Sequence, residues 1–165
     1  MKGIQIDLTV EEQEKIRDYA GRMFDFKSGQ EDKKQGDGDG LMYDKMGYTA
    51  EYMVHKLFER DFGWDFVEGK IEGDITLKCE MIDVVCDIKG SFQDRYSRVP
   101  KWQIENKVSI LDAYIFVHLK EDFTGGEIVG LISRKRFKEK AELKTYTTEC
   151  YSLDTKHLKS VECLR

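Results

Sequence analysis

The chain has 165 residues, 40% hydrophobic and 36% charged, with a formal net charge of −5. That length fits one domain with a modest core, and the acidic balance excludes a protein that coats nucleic acid nonspecifically, though it leaves room for a local basic groove. No apolar run is long enough to span a bilayer, and MKGIQIDLTVEEQEK lacks the basic flank and apolar segment of a signal peptide, so a soluble, cytoplasmic protein with no membrane partner is expected.

Thr9-Val10-Glu11-Glu12 has the capping-box pattern, and Ile16, Tyr19, Ala20, Met23 and Phe24 follow at helical spacing. A first helix is predicted from roughly Val10 to Phe26. KSGQEDKKQGDGDG, Lys27 to Gly40, has four glycines and no apolar residue, and a mobile loop is predicted over 27–46. Its DGDG resembles the start of a calcium loop, but Tyr48 stands where the bidentate glutamate is needed, so calcium is set aside. A second helix is predicted from about Tyr48 to Phe62, with Ala50, Val54, Leu57, Phe58 and Phe62 as its apolar stripe and Glu51 beside it. Trp64 to Glu68 reads as a short strand.

Gly73 to Ser91, GDITLKCEMIDVVCDIKGS, reads as a hairpin turning at Glu80-Met81. Cys79 then faces Ile82, Lys78 faces Asp83, Leu77 faces Val84, Ile75 faces Cys86, and Asp74 faces Asp87. One face is apolar and the other polar. Opposed like charges destabilise a sheet, so Asp74 and Asp87 call for a cation: Lys89, a divalent metal, or both. Asp83 lies on the same polar face, but its partner Lys78 gives it an ordinary surface ion pair.

Beyond the hairpin, SFQDRYSRV reads as a polar loop and Pro100 as the first turn of a helix to about Ser109, carrying Gln103. Ala113 to Leu119, AYIFVHL, reads as a central strand covered on both faces, with GEIVGLIS as its partner. Ser133 caps a basic helix through about Ala141, and a weaker strand and a turn of helix finish the chain. Neither a repeat nor a dividing linker appears, so residues 1–165 form one domain. Arg95, Arg98 and Lys101, and further on Arg134, Lys135, Arg136, Lys138 and Lys140, are the basic clusters available to a nucleic acid. Cys79, Cys86, Cys150 and Cys163 lack CxxC spacing and read as buried reduced thiols. His118 reads as a hydrogen-bonded core histidine and His55 as a boundary residue.

Glu51 on a helix, Asp74 at the start of a strand and Asp87-Ile88-Lys89 on the next strand resemble the PD-(D/E)xK nuclease superfamily, phage and bacterial members included. The match spans roughly Gly47 to Lys138, with Gly73 where many members have proline. The resemblance implies an α/β fold with a restriction-endonuclease-like αβββαβ core, a mixed central sheet flanked by helices, here with an extra N-terminal helix. It further implies a Mg²⁺- or Mn²⁺-dependent nuclease, endonuclease ahead of exonuclease, acting on nucleic acid with DNA favoured, and a homodimer if it resolves junctions. Asp74, Asp87 and the Ile88 carbonyl are the implied metal ligands. Lys89 would position and help deprotonate a water or neutralise phosphate, and Glu51 would complete the site directly or through water. Gln103, Arg95, Arg98 and Lys101 are the candidate substrate contacts. The residue types suit the reaction, since phosphodiester hydrolysis builds negative charge on phosphorus and hard divalent cations take oxygen ligands. Two other readings stand beside this one. The first is a catalytically silent nuclease-like module that binds nucleic acid or protein; the second is a metal-dependent enzyme on another substrate.

Overall fold

In the computed structural model, residues 3–28, 40–64, 75–78, 83–92, 95–106, 111–146 and 148–164 are described. The chain opens with a short strand, β1 (Ile4–Asp7), then α1 (Val10–Ser28) and α2 (Gly40–Leu57). β2 (Ile75–Lys78), β3 (Asp83–Phe92) and β4 (Tyr96–Pro100) lead into α3 (Lys101–Asn106), and β5 (Ala113–Leu119) and β6 (Gly125–Ser133) into α4 (Arg134–Lys140). β7 (Glu142–Thr145), β8 (Glu149–Asp154) and two 3₁₀ turns close the chain.

The fold is mixed α/β. A five-stranded sheet has the order β1-β6-β5-β3-β2, with β3 and β5 parallel and every other neighbour antiparallel, and a separate antiparallel sheet has the order β4-β8-β7. Strand alternation divides the side chains of the larger sheet between two cores. Cys86, Ile88, Ile115, Val117 and Ile128 meet Ala50, Met53, Val54 and Leu57 of α2 and Ile16 of α1. On the other face, Tyr114, Phe116 and Ile132 meet Val99 of β4, Ile104 of α3, Phe137 of α4 and Leu153 of β8. β5 is covered on both sides, as its unbroken apolar run requires.

Local chemistry explains most boundaries. Thr9 and Glu12 form the expected capping box: the Thr9 amide donates to Glu12 Oε2 at 2.7 Å and the Glu12 amide to Thr9 Oγ1 at 3.2 Å. Ser133 caps α4 by accepting from the Arg136 amide. α2 corrects the expected 27–46 loop, because residues 40–46 are helical. Gly47 lies inside this helix, where packing of Met46, Tyr48, Ala50 and Met53 against the core outweighs its propensity cost of about 1 kcal/mol. The same helix stops at Leu57 and not Phe62. Glu59 adopts a left-handed φ of 52°, with its amide donating to Lys56 O and the Arg60 amide to His55 O, a Schellman termination.

Other expectations are corrected too. The polar SFQDRYSRV segment contributes Ser91 and Phe92 to β3 and then forms β4, whose partner β8 lies far along the chain. Pro100 ends that strand, so α3 begins one residue later, at Lys101, and the expected stretch from 107 to 109 lies outside the described residues. β1, an edge strand on β6, was hidden by its shortness. The strand expected over Trp64–Glu68 is not seen at Trp64, and its remainder lies outside the described residues.

Candidate functional site

The β2–β3 ladder has the expected register: Ile75 opposes Cys86, Thr76 opposes Val85, Leu77 opposes Val84 and Lys78 opposes Asp83. Ile75, Leu77, Cys86 and Ile88 enter the helix-side core. By alternation, Asp87 and Lys89 project from the opposite face. Asp74 and the turn at 79–82 lie outside the described residues.

Asp87 is only 2% exposed, and Lys89 Nζ, 18% exposed as a side chain, sits 2.8 Å from its Oδ2. A buried carboxylate is tolerated only when its charge is met, and this lysine, two residues along the same strand, meets it. Two residues that the sequence pattern did not single out as site members complete the surroundings. Tyr114 is fully buried and stands directly across from Asp87 in the parallel β3–β5 register. Burial pushes its phenol above the ordinary value, the Asp87 charge adds to that, and Arg134 beside it pulls the other way. Arg134 is brought there by the first turn of α4, where its amide donates to Asp112 O at 2.8 Å. Tyr114 looked like one more core aromatic in AYIFVHL, because the pairing that sets it against Asp87 joins strands that are not sequence neighbours.

Glu51 lies on α2, in the layer over the Cys86 and Ile88 face, where its charge helps burial raise the Tyr19 phenol. Asp87 and Lys89 belong to the other face of β3. Ile88 places its side chain in the helix-side core and its backbone in register with Ile115. Among the described residues no three His, Cys, Asp or Glu side chains converge as a metal site. Asp87 is the one expected carboxylate ligand that the described residues place on this face, and Asp74 lies outside them.

Gln103 sits on α3 beside the core residue Ile104, with its Oε1 sealed from solvent. Arg95 pairs with Asp154 at 2.9 Å, Lys101 with Glu149 at 2.9 Å, and the Arg98 guanidinium lies 4.1 Å from the Tyr146 ring centre. These four expected substrate contacts thus gather on and beside the smaller sheet, and the three cations each have a partner in the fold. His118 is half-buried on the Asp87 face of the sheet, opposite Glu127. His55 lies at the exposed end of α2, with Nδ1 2.8 Å from Asp61 O. Cys86 is a buried thiol as expected, whereas Cys163 is exposed with Sγ donating to Ser160 O, because the final 3₁₀ turn leaves it at the surface. Cys79 lies outside the described residues. No family model, curated protein or solved structure matches this chain.

Proposed function

We propose that the chain is a metal-dependent nuclease that hydrolyses phosphodiester bonds, DNA ahead of RNA, at the face carrying Asp87 and Lys89. One observation carries this reading: an aspartate and a lysine two residues apart on a buried strand, ion-paired at 2.8 Å, with the aspartate sealed from solvent. A buried carboxylate costs stability even when it is paired, so its presence here suggests a functional role, and D-x-K spacing offers one. Asp87 supplies oxygen lone pairs. Lys89 is ion-paired with Asp87, and its ammonium N–H groups could donate to a phosphate oxygen or an attacking water. Bound Mg²⁺ or Mn²⁺ would neutralise the charge that develops on phosphate and acidify a water.

Incubation of the purified protein with labelled linear, circular and branched DNA and with RNA, in Mn²⁺ or in EDTA, tests the reading. Cleavage in Mn²⁺ only is expected, with Asp87→Asn and Lys89→Ala each slower by roughly 10²–10³-fold. Full activity in both variants would overturn the assigned site. Nicking of the circular substrate separates internal from terminal cutting.

The second reading, a catalytically silent binding module, draws support from the way Lys89 already neutralises Asp87 within the fold. Calorimetry with Mn²⁺ decides between them. The silent module gives no heat that disappears in Asp87→Asn.

A further inference from the structure

The smaller sheet turns one face inward, and its other face is half-buried under its own long side chains. Val99 and Leu153 point into the core that also holds Tyr114 and Phe137. By alternation, Tyr96 and Arg98 of β4 point outward, and the ladder sets Tyr96 opposite Asp154 and Arg98 opposite Ser152. From the other edge, two long side chains reach back across β8. Lys144 Nζ lies 4.6 Å from the Tyr96 ring centre. Tyr146 brings its hydroxyl within 3.4 Å of Ser152 Oγ and its ring under the Arg98 guanidinium at 4.1 Å. This cover explains why Ser152, an outward-facing polar residue, is only 3% exposed.

The outer face is therefore a set of aromatic rings interleaved with cations and held in place by their mutual contacts. Its charge runs against that of the whole chain, which is −5. Arg95, Arg98, Lys144 and Lys156 stand against Asp154 and Glu142, and Asp154 is largely covered by the cations it pairs with. Tyr146 remains 40% exposed. Cations alone would suit any polyanion. Rings add something only for a ligand that offers unstacked π faces, and duplex bases are stacked away.

We infer that the outer face of the β4-β8-β7 sheet binds single-stranded nucleic acid, with the tyrosines stacking on bases and the arginines and Lys144 meeting phosphates. This deepens the proposed function by naming its substrate class. It rests on the nuclease reading for what happens to the bound strand, and on this face alone for the binding.

Fluorescence anisotropy in EDTA, where a metal-dependent nuclease cuts nothing, tests the inference with three end-labelled probes: oligothymidylate, oligouridylate and a DNA duplex of equal length. Both single strands should bind more tightly than the duplex, and the ratio between them tells DNA from RNA. Tyr96→Ala and Tyr146→Ala should each weaken binding roughly tenfold. Tyr146→Phe, which keeps the ring and loses the hydroxyl, should bind like the parent. Arg98→Ala should lower the salt dependence by about one phosphate contact. Absence of binding, a duplex bound as tightly as the single strands, or ring variants that stay folded by circular dichroism and bind like the parent would each overturn the inference. A parent protein that binds single strands but never cuts them sinks the nuclease reading and leaves this surface standing. One that cuts while its ring variants bind and cut unchanged sinks the surface alone.

Discussion

The Asp87–Lys89 pair ties the stability of the fold to the proposed function at the scale of single side chains. With Asp87 sealed and Lys89 half-buried, removing the lysine leaves a buried charge without its ion-pair partner at 2.8 Å. Lys89→Met should therefore destabilise the fold by about 3 kcal/mol, toward the low end for buried pairs because Lys89 retains some exposure. Asp87→Asn in the same chain should restore much of that loss. Urea denaturation of the two single variants and the double variant measures the coupling, and strict additivity would show that the two groups do not interact. Glu12 makes a second residue-scale prediction. Burial pushes its carboxyl upward, but Lys56, the Thr9 amide and Tyr52 together outweigh this and hold it below the ordinary 4.5. A lowered native pKa favours the ionised form on folding, so this stabilisation is present above about pH 4.5 and is lost as pH falls through the native value. Glu12→Gln should accordingly show a shallower loss of thermal stability on acidification than the parent. Tyr52, which donates to Glu12 at 2.9 Å, should titrate near pH 12, measurable by phenolate absorbance.

Helices and strands differ in how much of their placement their own sequence carries. The capping box of α1, the Ser133 cap of α4, the β2–β3 register and the limits of β5 are set by neighbours within a few residues, and all were legible. β4 and β1 were not, because their partners β8 and β6 lie far along the chain and no local pattern announces the pairing. The same reason hid Tyr114, while Asp87 and Lys89 could be singled out from the local hairpin register and the D-x-K spacing within it. The end of α2 was obscured by Glu59, a residue type that rarely occupies the left-handed position it holds. Glycine there removes the steric cost, so Glu59→Gly should stabilise the protein by about 1 kcal/mol in thermal or urea denaturation. A loss of stability would mean that the Glu59 side chain holds the turn through contacts that outweigh its backbone strain.

The two cores of the whole molecule share the strands of one sheet, with Ile115 and Val117 on one side of β5 and Tyr114 and Phe116 on the other. Neither core can melt while its strands remain useful to the other. Phe137→Ala, which empties a fully buried site, should cost about 3–5 kcal/mol and still give coincident near- and far-ultraviolet circular dichroism transitions. Two separated transitions would show that the smaller sheet and α4 unfold as their own unit. Gly90, the residue after Lys89, carries a consequence of another kind. A methyl group there would come within 2.8 Å of both the Met46 carbonyl and the Ala50 side chain. Position 90 is thus barred to any larger residue unless α2 backs away. Because β3 bears Lys89 one residue earlier and Asp87 three, a shim placed between helix and strand is a mechanical handle: a graded series from glycine to alanine to serine would pry the two layers apart and report, through the proposed activity, how finely the spacing of this strand is adjusted.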